Sequence, residues 1–333
     1  MHHLDRFEAL HSKTPWAPKN LIDRAKGSSA QLLDLVKDCL GNCKVEVFSS
    51  CEEAFTQFIF GLVESKAIGE GKNHLLIPEN LFGPYRAILS KFEPFGVVLQ
   101  TIPLNGEGVI DLELLADAFY PTTMGVILEP VDWITGLEQP LDKVLEICKN
   151  RCSVYIASKA LVGMDRIPRN IGALLCDNAL FVDETMDVSG SKDPDLVYAI
   201  TSQMVESFCK RTEEGMQLIY LRRLLERGIE SMGGKIFFKT NQRDPGTLLF
   251  GFEHIHGELL AYWLCQRGVF VSIGGGPRPS LHRHLSRMGF IEKEALTAVH
   301  ASLTPGLEEK GIYQVLSILE ECIRLAKRPL KVD

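Results

Sequence analysis

Nine cysteines are the first residues in the chain that could do chemistry. Two pairs sit four residues apart, Cys39/Cys43 and Cys148/Cys152. That spacing is not the one a metal knuckle uses, and both pairs fall where helices should end. An odd count without framework spacing fits reduced, mostly buried thiols. The histidine doublets His254/His256 and His282/His284 form a second group. Alternation would put each doublet on one side of a strand, but neither has a third ligand nearby. They read as solvated or hydrogen-bonded side chains, and no metal site is expected. A third group, Ser50-Cys51-Glu52-Glu53, follows a short apolar run. Serine three residues before glutamate is the signature of a capping box at a helix start.

These residues need a scaffold, and the pattern supplies one from about residue 44. Val45–Phe48, His74–Pro78, Val97–Ile102, Met124–Leu128 and Val154–Ala157 read as strands. Between them, helices are expected after Ser50 and over Phe82–Phe92, Leu112–Phe119 and Leu141–Lys149. Alternating β and α units with uninterrupted apolar strands give a mainly parallel sheet covered on both faces. After Asp193-Pro194 a long helix spans Leu196–Met232 and stops at Gly233-Gly234. Lys235–Thr240, Thr247–Phe252 and Val269–Ser272 are strand-like, and Glu258–Arg267 and Gly311–Lys327 helical. The expected organisation is an N-terminal segment (1–43), a large α/β domain (44–200) and a smaller α+β domain (201–333).

Composition narrows the partners. Of 333 residues, 45% are hydrophobic and 24% charged, as in ordinary globular proteins. A net charge of −7 argues against nucleic acid or an anionic membrane as the main partner. The apolar runs are short and broken by charge, and the first residues lack the apolar core of a secretory signal. A cytoplasmic protein with reduced thiols is expected.

Several stretches, in order, resemble the class V aminotransferase group, above all the NifS-like cysteine desulfurases. Phe48–Ala54 is similar to the family's strand-to-helix phosphate loop, and Pro103–Leu112 to its P-V-x-x-x-G-x-I-D-L segment. Thr135–Pro140 resembles N-E-T-G-x-x-Q-P, and Leu264–Gly274 the approach to the mobile cysteine loop. Ala298–Leu303 resembles the strand carrying the substrate-binding arginine. The resemblance implies the fold type I of pyridoxal-phosphate-dependent transferases and a two-fold dimer with the cofactor site at its interface.

It also assigns tasks that the residues here rarely suit. Ser50, Cys51 and Glu52 stand at the phosphate site, with Glu52 about where a threonine belongs. A helix N-terminus with free amides can hold phosphate, but a carboxylate there takes the positive helix end and repels it. Asn80 stands for the histidine that stacks on the cofactor ring, and Trp133, beside Asp132, for the asparagine at its phenolic oxygen. Ala157 and Ala160 fall at the aspartate that would pair with the ring nitrogen and at its companion glutamine. That alignment makes Gly172–Cys176 the strand leading to the Schiff-base lysine and leaves Asp177 and Asn178 in the lysine motif's place. A rival alignment takes Ser158-Lys159 as the motif, with Arg166–Leu174 after it, and Lys192 is a third candidate. The nucleophilic cysteine would fall near Gly275–Pro277, in what reads as a tight loop. His300 stands at the substrate arginine, with Arg278, Arg283 and Arg287 nearby at other spacings.

The expectation is a desulfurase-like protein without catalytic residues and without bound pyridoxal phosphate. It would act as a homodimeric binding or regulatory protein, with a possible partner in sulfur metabolism. The alternatives are a working pyridoxal-phosphate enzyme rebuilt around Lys159 or Lys192, and a binder of another small molecule in the interdomain cleft.

Overall fold

Seven of the short apolar runs assemble into one sheet. The computed structural model describes residues 19–40, 42–158, 171–176, 178–275 and 278–326, without the side chains of 19, 20, 37–39, 208, 211, 278 and 279. The strands are β1 (Cys43–Val47), β2 (His74–Pro78), β3 (Val98–Ile102), β4 (Thr123–Leu128), β5 (Ser153–Ser158), β6 (Ala173–Cys176) and β7 (Ala179–Asp183). Their spatial order is β1-β7-β6-β5-β4-β2-β3. Only β7 runs against the rest, through antiparallel pairing with β6 and β1. β5 lies at the centre, between β4 and β6, as its uninterrupted apolar sequence requires.

The two-residue period of the strands divides their side chains between two cores. Tyr155 and Ala157 face α2 (Cys51–Leu62) and α3 (Gly83–Ser90). Val154 faces the layer of α4 (Leu112–Asp117) and α5 (Leu141–Cys148). Ile156 joins Leu32 and Val36 of α1 (Lys19–Leu40), a helix in the segment to which the sequence assigns no element.

Helix α6 (Pro194–Ser231) starts at Asp193, whose carboxylate accepts the Asp195 N–H, and extends across residue 200. Its first turns meet α1 through Thr201 and Ser28, whose hydroxyls are 2.6 Å apart. Its last turns supply Leu221, Leu225 and Ile229 to a separate core. That core covers an antiparallel sheet, β12-β9-β8, of β8 (Gly234–Ile236), β9 (Thr247–Phe252) and β12 (Val299–Ser302). Helices α7 (Gly257–Cys265) and α10 (Glu309–Ala326) pack on it. The remaining elements are the hairpin β10 (Gly274–Gly275) and β11 (Arg278–Ser280), with α8 (Leu281–Arg287) and α9 (Glu292–Ala295). The whole is an α/β fold with a mainly parallel seven-stranded sheet and a small antiparallel C-terminal one.

Three expectations are corrected. Lys235–Thr240 is not one strand, because β8 ends at Ile236 and Phe238 turns the chain with φ 53°. Val269–Ser272 contributes one isolated bridge, Ser272 to His300. Neither histidine doublet lies on a strand. His254 has φ 65° in a turn, His256 caps α7, and His282 and His284 lie on α8.

Candidate functional site

In a parallel sheet the carboxyl ends of the strands and the helix starts beyond them collect the groups that can bind or react. Here that edge is supplied by the start of α2, the residues after β2 and β4, and Ala157 on β5. At the first, Ser50 has extended backbone (φ −150°, ψ 159°) and its hydroxyl accepts the Glu53 N–H at 3.1 Å. Glu53 reaches back, but to Ser49, accepting its N–H at 3.1 Å and its hydroxyl. The cap is therefore present with its return bond shifted by one residue. Cys51 Sγ donates to Glu52 Oε2 at 3.3 Å.

After β4 the chain makes a tight turn around Asp132, which is 1% exposed. Its Oδ1 accepts the N–H groups of Ile134 (2.9 Å) and Thr135 (2.6 Å) and the Thr135 hydroxyl (2.8 Å). Its Oδ2 accepts Asn80 Nδ2 at 2.7 Å and lies 3.3 Å from His284 Nε2. Burial alone would raise this carboxyl, but the His284 ring, the Asn80 amide and the Thr135 N–H outweigh it and hold it well below the carboxylate range. Helix α8 is thereby tied to the large sheet through a buried side chain. A looser contact, Arg287 Nη1 to Glu79 Oε1 at 3.9 Å, lies at the exposed rim.

Glu129, also 1% exposed, behaves in the opposite way. Its Oε2 accepts the Phe82 N–H at 3.1 Å, while Oε1 is buried without a hydrogen-bond partner. Burial, and next the Asp132 charge, push it well above the usual range, against the Phe82 bond. Nearby, the Tyr85 hydroxyl is buried and unpartnered, and burial followed by the neighbouring Cys51, Glu129 and Glu52 drives its phenol up.

The other side of the site is aromatic. Trp133 lies on Phe82 with ring centres 4.1 Å apart, and Tyr85 stacks on Phe55 at 4.1 Å. Tyr85 also meets Phe82 and Trp133 edge-on. Ala157 points into this mass, 2% exposed. The gap it shares with Phe55, Phe58, Ile127, Tyr155 and Leu175 is too small for a water molecule.

Of the residues singled out in the sequence, the structure thus gathers Ser50, Cys51, Glu52, Asn80, Trp133 and Ala157 on one edge of the sheet. Lys192 is not among them. Its side chain is 76% exposed, 3.8 Å from Glu46 on the outer strand β1. That is three strand spacings from Ala157, roughly 14 Å. His300 is buried in β12, paired with Leu249. Lys159, Ala160, Arg166, Asp177, Gly276 and Pro277 lie outside the described residues. Glu129, Tyr85 and His284 were not anticipated as site residues. Glu129 carried a readable signal, a charged residue directly after the continuous apolar run Met124–Leu128. Among the described residues no group of three or more potential ligands could hold a metal ion.

No protein-family model matches the chain. Cysteine desulfurase IscS of Rickettsia typhi is 28% identical over 181 residues, 52% of this chain but 41% of that protein. The chain thus matches less than half the length of that relative. The IscS of Rickettsia africae aligns over 365 residues, at 26% identity, with 97% of the chain and 85% of the relative. The chain is homologous to the NifS-like cysteine desulfurases of the class V aminotransferase family. A solved NifS-like protein superposes with a TM-score of 0.79 over 95% of this chain and 91% of that one, at 16% identity. The cysteine desulfurase of Thermococcus onnurineus gives 0.72 over 94% and 87%, at 12% identity.

The desulfurase family uses pyridoxal phosphate, and its fit can be tested residue by residue. The cofactor's ring nitrogen needs a carboxylate, and the sequence resemblance puts the methyl group of Ala157 at that position. The ring needs a slot, and Trp133, Phe82, Tyr85 and Phe55 fill the neighbourhood with their own rings. The phosphate needs free amides, and the Ser50 hydroxyl already takes that of Glu53. Among the described residues, those at the positions that resemble the cofactor site do not fit the group.

Proposed function

We propose that this chain keeps the desulfurase fold without desulfurase chemistry and serves as a dimeric binding or regulatory protein. Its partner would be a true desulfurase or that enzyme's sulfur acceptor. The observation that carries the reading is Ala157 on the central strand, closed in by apolar side chains with no room for water. A pyridine nitrogen there would lose its proton partner and its space together. Pyridoxal phosphate is accordingly not a tight ligand. Support for association comes from exposed apolar side chains, Phe95 (80%) just before β3, Val98 (51%) on that edge strand and Phe60 (57%) on α2.

Absorbance-monitored titration with pyridoxal phosphate tests the first part. The expected result is slow, weak imine formation with surface lysines, unchanged by Lys159→Ala or Lys192→Ala. Stoichiometric binding abolished by either substitution would overturn the reading in favour of a rebuilt enzyme. Light scattering at dilute concentration tests the second part, with twice the monomer mass expected and a clean monomer counting against it.

A second reading, a small-molecule binder, draws on a cleft of ≈ 580 Å³ lined by Gly233, Gly234, Gly251, His254, Ile291 and Thr297. These residues all belong to the C-terminal part of the chain rather than to a junction between the two sheets.

A further inference from the structure

The end of α5 brings two thiols together. The helix stops at Cys148, where Lys149 leaves helical geometry (φ −52°, ψ 124°) and Asn150 takes a positive φ of 64°. This pair of conformations is a type II turn, in which asparagine tolerates the left-handed position. The turn folds the chain back so that the Cys148 carbonyl accepts the N–H groups of both Arg151 (2.9 Å) and Cys152 (3.2 Å). The 3.2 Å bond between the Cys148 carbonyl and the Cys152 N–H keeps the two residues close, as a disulfide with Cα atoms roughly 4.4–6.8 Å apart requires. The reversal returns the chain to the same core layer, so that Cys152 packs against the buried cluster to which Cys148 belongs.

Their surroundings differ in the way a reactive pair requires. Cys148 is buried at 1% exposure, whereas Cys152 is half-buried at the start of β5. Arg151 stands beside Cys152, its guanidinium held by a bond to the Ala116 carbonyl at 3.0 Å and by the Phe119 ring. Lys72 adds a second positive charge.

We propose that Cys148 and Cys152 form a redox-active dithiol that closes to a disulfide by exchange with a low-molecular-weight disulfide. Cys152 attacks and Cys148 resolves. The Cys152 thiolate displaces one thiolate from the small disulfide and becomes a mixed disulfide. Cys148 then gives up its proton to solvent and attacks the Cys152 sulfur, expelling the second small thiolate. Two protein thiols are oxidised and one disulfide is reduced to two thiols, so no other reagent is needed. Hydrogen bonding from Cys148, then Arg151 and Lys72, hold the Cys152 thiol below its ordinary range against burial, while the same bond and burial push Cys148 up. The attacking role therefore falls to the partly exposed thiol. Closure would staple the end of α5 to the start of the central strand that carries Ala157.

The sequence makes the test direct, because Lys149 and Arg151 let trypsin separate the two cysteines. Folded protein is treated with oxidised glutathione, acid-quenched, alkylated and digested. The expected product is residues 144–149 joined to 152–159, lost on reduction, with the exposed Cys209 and Cys265 carrying glutathione only. Cys148→Ser should accumulate the glutathione adduct on Cys152, and Cys152→Ser should leave Cys148 unmodified. Circular dichroism would check that both variants are folded. Alkylation of both cysteines in the treated wild type would overturn the proposal. So would a stable glutathione adduct on wild-type Cys152, since it would mean that Cys148 does not resolve.

Discussion

The two halves of the buried site meet the same problem in opposite ways. Asp132 accepts four hydrogen bonds, from two backbone N–H groups, the Thr135 hydroxyl and Asn80, with the His284 ring 3.3 Å away. Three residues earlier, Glu129 is equally buried but has one N–H bond and an unpartnered oxygen among aromatic rings. Depth does not decide what a carboxyl does in this fold. The first has its carboxyl lowered by its partners, and the second has its carboxyl raised by burial and the neighbouring Asp132 charge. The contrast also separates a half that holds the molecule together from one that merely fills space.

The sharpest way to break the comparison is Asp132→Ala. It removes four hydrogen bonds and the 3.3 Å contact with His284 and strands Asn80 in the interior, so a loss of about 3–5 kcal/mol is expected in urea unfolding at pH 7. A loss below about 1 kcal/mol would show that Asp132 does not tie α8 to the sheet. Next comes Ala157→Asp, which places a carboxylate in an apolar setting, where the sequence resemblance puts the family's own. Overfilling and an unpaired buried acid should cost about 3 kcal/mol, and pyridoxal phosphate binding should not appear. Recovery of stability on adding the cofactor would mean that the aromatic side is looser than its packing implies.

Glu129→Gln sharpens the pH side. A carboxyl raised in the folded state binds its proton more tightly there, so Glu129 subtracts stability as pH rises above its unfolded value near 4.3. The glutamine variant should therefore match the wild type near pH 4 and exceed it by about 1 kcal/mol at pH 8. Asp132 has the reverse sign, its contribution being full above about pH 5 and lost as the solution is acidified. Chemical unfolding at several pH values would show whether the two slopes oppose each other. The smallest effect belongs to Ser50→Ala, where loss of the cap should cost roughly 0.5–1 kcal/mol. A neutral result would mean that Glu53 and Ser49 suffice to start α2.

How much of this was legible in the sequence followed the range of the interactions. Ser50 and Glu53 cap α2 through neighbours in the chain, and the local pattern showed it. The strand around Ala157 was legible because burial on both faces leaves an uninterrupted apolar run. His284 was not, because its partner Asp132 belongs to a distant part of the chain and only the packing of α8 brings them together. Phe238 failed for another reason, since a single left-handed residue ends a strand that composition alone would continue. The turn at Asn150 shows the same limit, as four-residue spacing does not say whether two thiols diverge along a helix or meet across a turn.

The long helix α6 has a consequence for how this protein comes apart. Its 38 residues reach about 57 Å. One end, with Thr201 and Met204, is buried against α1, and the other, with Leu221 and Leu225, lies in the second core. Glu213 and Glu214, between them, are charged and include the exposed Glu213, so that stretch works as a strut across solvent rather than a packed seam. A strut anchored at both ends carries strain from one core to the other, and neither can be excised without fraying a helix that the other needs. Fragments divided at residue 200 would each inherit a broken beam, and protease resistance in the middle of α6 would report the health of both ends at once.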